Sequence, residues 1–194
     1  MSTLIKVGGS LLSLPDLKAR LESLIVSLNA GQVALLVGGG EAANAVRQWD
    51  HVFHFTPEIS DALAIESLSL TALLVERLLP QSRRCLSREE VQACWATGFI
   101  PIVNPSSIIP QLQRAGASPL PASWSVTSDS IAAWIAWHWP FERMLFAKSV
   151  ELPQDLAVTD AVDEFVKSLL PQVKSVWWCN LRRDPLSCAE CKTR

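Results

Sequence analysis

No uninterrupted apolar run in this chain approaches the ~18 residues that a membrane-spanning helix requires, which argues against an integral membrane protein. Charge of one sign is missing too. Lys and Arg number 17 against 19 Asp and Glu, a formal net charge of -2, so the basic patch on which nucleic-acid binders rely is not there. The 5 cysteines are sparse and odd in number for a disulfide scaffold in 194 residues, and fit reduced thiols better than bridges. Tyrosine is absent beside 8 Trp, a bias that excludes nothing by itself. Repeats, low-complexity segments and interdomain linkers are lacking as well. What remains, at 49% hydrophobic residues, is the composition of one globular domain over residues 1–194. Residues from about 185 onward read as a polar C-terminal tail. Lys6, Gly8 and Gly9 stand where a secretory leader would need its apolar stretch, so the expected location is the cytoplasm.

Two strand–glycine–helix units open the chain. Residues 3–7 are a short apolar run that ends at Gly8 and Gly9, and Leu14, Leu17, Leu21, Leu24 and Leu28 then recur at helical spacing. Ser13 is the candidate N-cap of that helix and Gly31 its stop. Residues 33–37 repeat the strand pattern, Gly38, Gly39 and Gly40 the loop, and Glu41 begins a second helix. The order predicts an α/β protein, a three-layer α/β/α sandwich with a mainly parallel sheet. Further helices are expected over 57–79 and from Ser87 to Gly98, and a strand over 99–103. Residues 104–124, with four prolines, read as a long irregular loop. A helix from Thr127 to about His138, a strand over 144–147, a helix over 160–169 and a strand over 175–178 complete the reading.

Lys6 is the most informative residue, because a lysine inside a doubly covered strand needs an anion nearby or an open strand end through which to reach water. Gly8, Gly9 and Ser10 follow it at a strand-to-helix turn, where backbone N–H groups can surround phosphate oxygens. Gly38 to Gly40 repeat that geometry at another strand end, although each cluster alone is also an ordinary tight turn. The lysine precedes the glycines, so this is neither a Walker A loop nor a dinucleotide fingerprint. Asp129 fits two roles, a helix cap alongside Thr127 and Ser128, or a carboxylate that holds cations beside a transferring phosphoryl group. Lys148, after a strand, is either that second cation or a solvated lysine. His51 and His54 lack a partner at ligand spacing. Cys188 and Cys191 form one CxxC, with Cys179 as at most one more ligand, short of a structural zinc set. Trp134, Trp137, Trp139, Trp177 and Trp178 read as core or interface aromatics.

Leu4 to Leu12 (LIKVGGSLL), Leu36 to Asn44 (LVGGGEAAN) and Val126 to Ala133 (VTSDSIAA), in this order and spacing, resemble the amino acid kinase superfamily. The stretch from Leu120 to Trp134 looks most like its short kinases linked to methanofuran and tetrahydromethanopterin-type coenzymes. The resemblance implies ATP-dependent phosphorylation, with Mg2+, of a small phosphate- or carboxylate-bearing acceptor by a homo-oligomer, a dimer or larger. It implies that Lys6 serves the transferring group, that Gly8, Gly9 and Ser10 hold the ATP phosphates, and that Gly38, Gly39, Gly40, Thr127 and Ser128 hold the acceptor. Asp129 would organise the lysines. Many relatives carry Asp-Gly after the strand that here ends in Phe146 to Val150, then a nucleotide-covering lobe with a second lysine. This chain runs from Glu151 almost directly to a last helix, which implies a shortened C-terminal nucleotide lobe with Lys148 in place of the second lysine. No resident metal site is expected. A non-catalytic nucleotide- or metabolite-binding protein on the same fold is the alternative, and a zinc-dependent module built on the C-terminal cysteines a third reading.

Overall fold

Apolar runs too short for helices, each followed by a helix with one apolar face, bury both surfaces only as a parallel sheet covered on two sides. The computed structural model, which describes residues 1–29, 31–139, 141–156 and 158–191, has that arrangement. Its elements are β1 (Ser2–Val7), α1 (Leu17–Ser27), β2 (Gln32–Val37), α2 (Gly40–Phe53), α3 (Pro57–Leu78), β3 (Ser82–Cys85) and α4 (Arg88–Ala96). Then follow β4 (Ile100–Val103), α5 (Pro105–Arg114), α6 (Ser128–His138), β5 (Arg143–Lys148), α7 (Glu164–Leu169), β6 (Val176–Asn180) and β7 (Cys188–Glu190). The strands form one sheet in the order β3-β4-β2-β1-β5-β6-β7. All neighbours run parallel except β6 and β7.

Side-chain alternation sorts the strands onto two cores. Ile5, Val7, Leu35, Val37, Leu145 and Ala147 face α1 and the second half of α3. Leu4, Leu36, Met144 and Phe146 face the layer of α4 to α7. Lys6 and Lys148 share parity with Leu4 and Phe146. Both lysines therefore project from adjacent central strands toward α6, whose residues from Asp129 to Ala136 are all buried. That full burial explains why α6 is apolar on every side.

Four differences from the sequence reading have physical reasons. The long loop contains α5, because Ile108, Ile109 and Leu112 bury one face; that burial outweighs the cost of Pro110 inside the helix, about 3 kcal/mol. β3 escaped detection because an edge strand needs little apolar pattern, and its central residues are Arg83 and Arg84. The first helix begins at Leu17 after a 3-10 turn over Gly9–Ser13, so Ser13 does not cap it. Residues 188–190, assigned to a tail, pair with β6 in the register Cys179↔Cys188, and Cys191 is buried. The reading of 192–194 as tail lies outside the described residues.

Candidate active site

Asp129 sits in the first turn of α6 with only 4% of its surface exposed, and both of its oxygens meet ammonium groups. Oδ1 lies 2.7 Å from Lys6 Nζ, and Oδ2 lies 2.6 Å from Lys148 Nζ. Lys148 also donates to the carbonyl of Ala161 at 2.8 Å. Oδ1 has no aligned hydrogen-bond donor, so the Lys6 contact is one of charge. Burial works to raise the Asp129 carboxyl, but the charges of Lys6 and Lys148 overcome it and hold the group below its ordinary value. Lys148 is pushed down to about 8, first by burial and then by the charge of Lys6, against the pull of Asp129. Two cations share one carboxylate in a nearly dry place, and the charge of Asp163 also acts on Lys148. Two ammonium groups so held can meet an incoming anion together.

The first turn of α6 is fastened from outside. Asp163, the N-cap of α7, accepts hydrogen bonds from Thr127 Oγ1 at 2.6 Å, Thr127 N at 3.0 Å and Ser130 N at 3.1 Å. It also accepts from Ser130 Oγ and, at 2.8 Å, from Val166 N. Thr127 Oγ1 in turn accepts from Asp129 N. Sequence reasoning passed over Asp163, although an acidic residue directly before Glu164 and an apolar helix is a capping signal.

The two glycine loops touch. A Cβ on Gly9 would fall 2.4 Å from Gly40 N, and one on Gly38 would fall 2.8 Å from Gly9 N and 3.0 Å from Ser128 Oγ. Gly8 N donates to Ala147 O and Gly38 N to Val7 O, each at 2.8 Å, extending the strand ladders. Gly8 and Gly38 thus spend their N–H groups on the strand ladders and shape the loops, so that a phosphate contact at either would come from the close approach a missing Cβ allows and not from its N–H. Gly9, Ser10, Gly39 and Gly40 open the 3-10 turn and α2, where the first N–H groups lack helical partners. Ser10 Oγ also meets Ser149 Oγ at 2.9 Å, joining the first loop to the end of β5.

Beside these loops lies a cavity of about 340 Å3 whose walls include Gly9, Ser10, Gly39, Gly40, Thr127 and Ser128. Arg47, Asp61 and Trp124 also line it, and no pattern read from sequence singled them out. Arg47 stacks over the Trp124 ring at 4.7 Å, and Trp124 Nε1 donates to Asp50 Oδ2 at 2.8 Å. Arg47 was findable: it lies on α2 at the spacing of Glu41 and Asn44, two other wall residues. His51 and His54 lie outside the walls, at the exposed end of α2. Among the described residues no three His, Cys, Asp or Glu side chains gather as a metal site, which leaves the zinc reading without a ligand set. Nor is any helix among them long and apolar enough to cross a membrane.

Comparison with known proteins places the family and the fold. A family model, "Amino acid kinase family", matches residues 1–151. The [5-(aminomethyl)furan-3-yl]methyl phosphate kinase of Methanocaldococcus jannaschii is 27% identical over 158 residues, 76% of this chain. The chain matches 66% of that relative's length. Among solved structures, the uridylate kinase of Archaeoglobus fulgidus superposes with a TM-score of 0.65 at 15% identity, over 92% of this chain and 90% of that one. UMP kinase from Bacillus anthracis gives 0.63 at 13% identity over 98% of both chains. Isopentenyl phosphate kinase from T. acidophilum gives 0.57 at 14% identity, over 93% of this chain and 92% of that one. These likenesses confirm the sheet order and its layers, and the matched family model, spanning both glycine loops and Asp129, shows that this chain belongs to the amino acid kinase family.

Proposed function

We propose that the protein is a small-molecule kinase that transfers the γ-phosphoryl group of ATP to an acceptor bearing a phosphate or carboxylate. The observation that carries this reading is the pair of lysines, from two different strands, that meet on the single buried carboxylate of Asp129. Phosphoryl transfer spreads negative charge over oxygens and demands positioning and neutralisation more than covalent chemistry. Lys6 and Lys148 supply fixed positive charge, and Asp129 holds them before the substrates arrive. Gly9 and Ser10 face the ATP phosphates, while Gly39, Gly40, Thr127 and Ser128 face the acceptor across the line where the two loops touch. An acceptor that is already a phosphate or carboxylate is ionised at neutral pH, so the site needs no general base.

The described residues offer Mg2+ no carboxylate cluster, since both oxygens of Asp129 are engaged by ammonium groups. Mg2+ commonly keeps its waters and rides on nucleotide phosphates, so it enters here as part of the MgATP substrate. The relative's acceptor, an aminomethylfuran phosphate, is the first candidate substrate and would place the reaction in one-carbon coenzyme assembly. We read the enzyme as cytoplasmic and homo-oligomeric. The exposed Trp49, Val52 and Phe53 of α2 and Leu70 and Leu74 of α3 support assembly. Purified protein is to be incubated with MgATP and, separately, [5-(aminomethyl)furan-3-yl]methyl phosphate, uridylate, isopentenyl phosphate and acylated amino acids. ADP release that depends on one acceptor supports the kinase reading; nucleotide binding without turnover on any of them supports the non-catalytic alternative.

A further inference from the structure

Asp61, in the second turn of α3, lines the acceptor cavity and also a second one of about 250 Å3 on the far side of Trp124. Trp124, Ala64 and Val126 are the other walls common to both, so Asp61 stands where the two spaces join. Its carboxylate is half buried and has no hydrogen-bond or ion-pair partner among the described residues. The nearest cation of the same cavity is otherwise occupied: Arg47 stacks on Trp124 and donates to Asn44 Oδ1 at 3.1 Å. Burial, unopposed by any neighbouring charge, pushes the Asp61 carboxyl up. A carboxylate placed in a substrate cavity and left without a counter-ion is stabilised by a ligand that brings one.

We propose that Asp61 binds a primary ammonium group of the acceptor, so that the substrate class is an amine-bearing phosphate monoester. The inference rests on the kinase reading for the placement of the phosphate at the glycine loops and the first turn of α6. The two ends of the cavity then differ in sign. Main-chain N–H groups at the starts of the 3-10 turn and of α2 attract the phosphate, and Asp61, where the two cavities join beside Trp124, attracts the amine. A plain phosphate monoester carries only negative charge into a cavity whose walls hold two carboxylates, Glu41 and Asp61, against one guanidinium. An ammonium arm removes that imbalance and also orients the molecule, because only one direction of binding pairs both ends. Trp124, anchored by Asp50, closes the side of the passage that the arm enters.

The test is calorimetric binding of three probes to the full chain: [5-(aminomethyl)furan-3-yl]methyl phosphate, and its analogues with hydroxymethyl or methyl in place of aminomethyl. The wild type is expected to bind the amine roughly tenfold or more tightly than either analogue, the scale of one charge-assisted contact. Asp61→Asn should reduce the difference to within about threefold, and Asp61→Glu should restore part of it. Equal affinity of the wild type for amine and hydroxymethyl probes overturns the proposal, as does a preference that survives in Asp61→Asn. The wild-type comparison decides the question even if a variant fails to fold. Turnover with MgATP separates this inference from the one beneath it. An amine preference in binding without ADP release leaves the ammonium site standing and removes the kinase, whereas turnover of all three probes alike does the reverse.

Discussion

Asp163 accepts hydrogen bonds from the Thr127 hydroxyl at 2.6 Å and from its main-chain N–H at 3.0 Å, and so ties the start of α7 to the turn that precedes Asp129. One carboxylate thereby serves two helix N-termini. Asp163→Ala strips partners from five donors, three of them main-chain, and each lost cap costs about 1 kcal/mol. We expect a loss of about 2 kcal/mol or more in chemical denaturation. We also expect a fall in kcat that outlasts any correction for unfolded protein, because the Thr127 hydroxyl that accepts from Asp129 N loses the carboxylate that fixes it.

Asp129→Asn distinguishes a cap from an organiser of charge. Asn caps helices as well as Asp does, so a purely capping role predicts near-normal kinetics. With both lysines on this carboxylate, the amide leaves two buried ammonium groups to repel each other and drift. The expected fall in kcat is roughly a hundredfold or more, the scale of losing one preorganised electrostatic group. Lys6→Ala should fall at least as far. Steady-state assays of the two variants, with circular dichroism to verify folding, check both values.

Lys148 gives the free enzyme a pH limit. Its ammonium is held down to about 8, so it is charged below that pH and neutral above. On the proposed kinase reading the charged form attracts ATP phosphates, and kcat/KM for ATP should therefore decline as pH rises through about 8. Lys148→Arg keeps the charge at all accessible pH values and should remove the alkaline limb. An unchanged limb in that variant would assign the titration to another group.

Gly9→Ala tests whether the loops must touch. The added carbon falls 2.4 Å from Gly40 N, against backbone that cannot swing aside. The loops must part, at a cost of about 1–3 kcal/mol typical of overpacking. Because both loops wall the acceptor cavity, KM for the acceptor should rise together with the loss of stability. A melting temperature equal to that of the wild type would show that the loops yield freely.

The linear order of residues determined the α/β class, the main parallel strands and Lys6 as chemically exceptional, because a lysine inside an apolar run stands out without any knowledge of the fold, whereas Asp129 and Lys148 by themselves read equally as a helix cap and a solvated lysine. Local physics also marked the glycine turns. It could not assign their duties, since whether Gly8 and Gly38 spend their N–H groups on a ladder or on a ligand depends on neighbouring strands far away in sequence. α5 and β3 were hidden for related reasons: the face that stabilises the first and the edge position that tolerates arginine in the second exist only after packing. Asp163 and Arg47 carried only a local hint, a capping position and a helical spacing, and Trp124 and Asp61 carried none; tertiary structure gave all four their place. Each becomes part of the site because α6 lies across β1 and β5, α7 docks on α6, and α2 and α3 pack together beside the glycine loops.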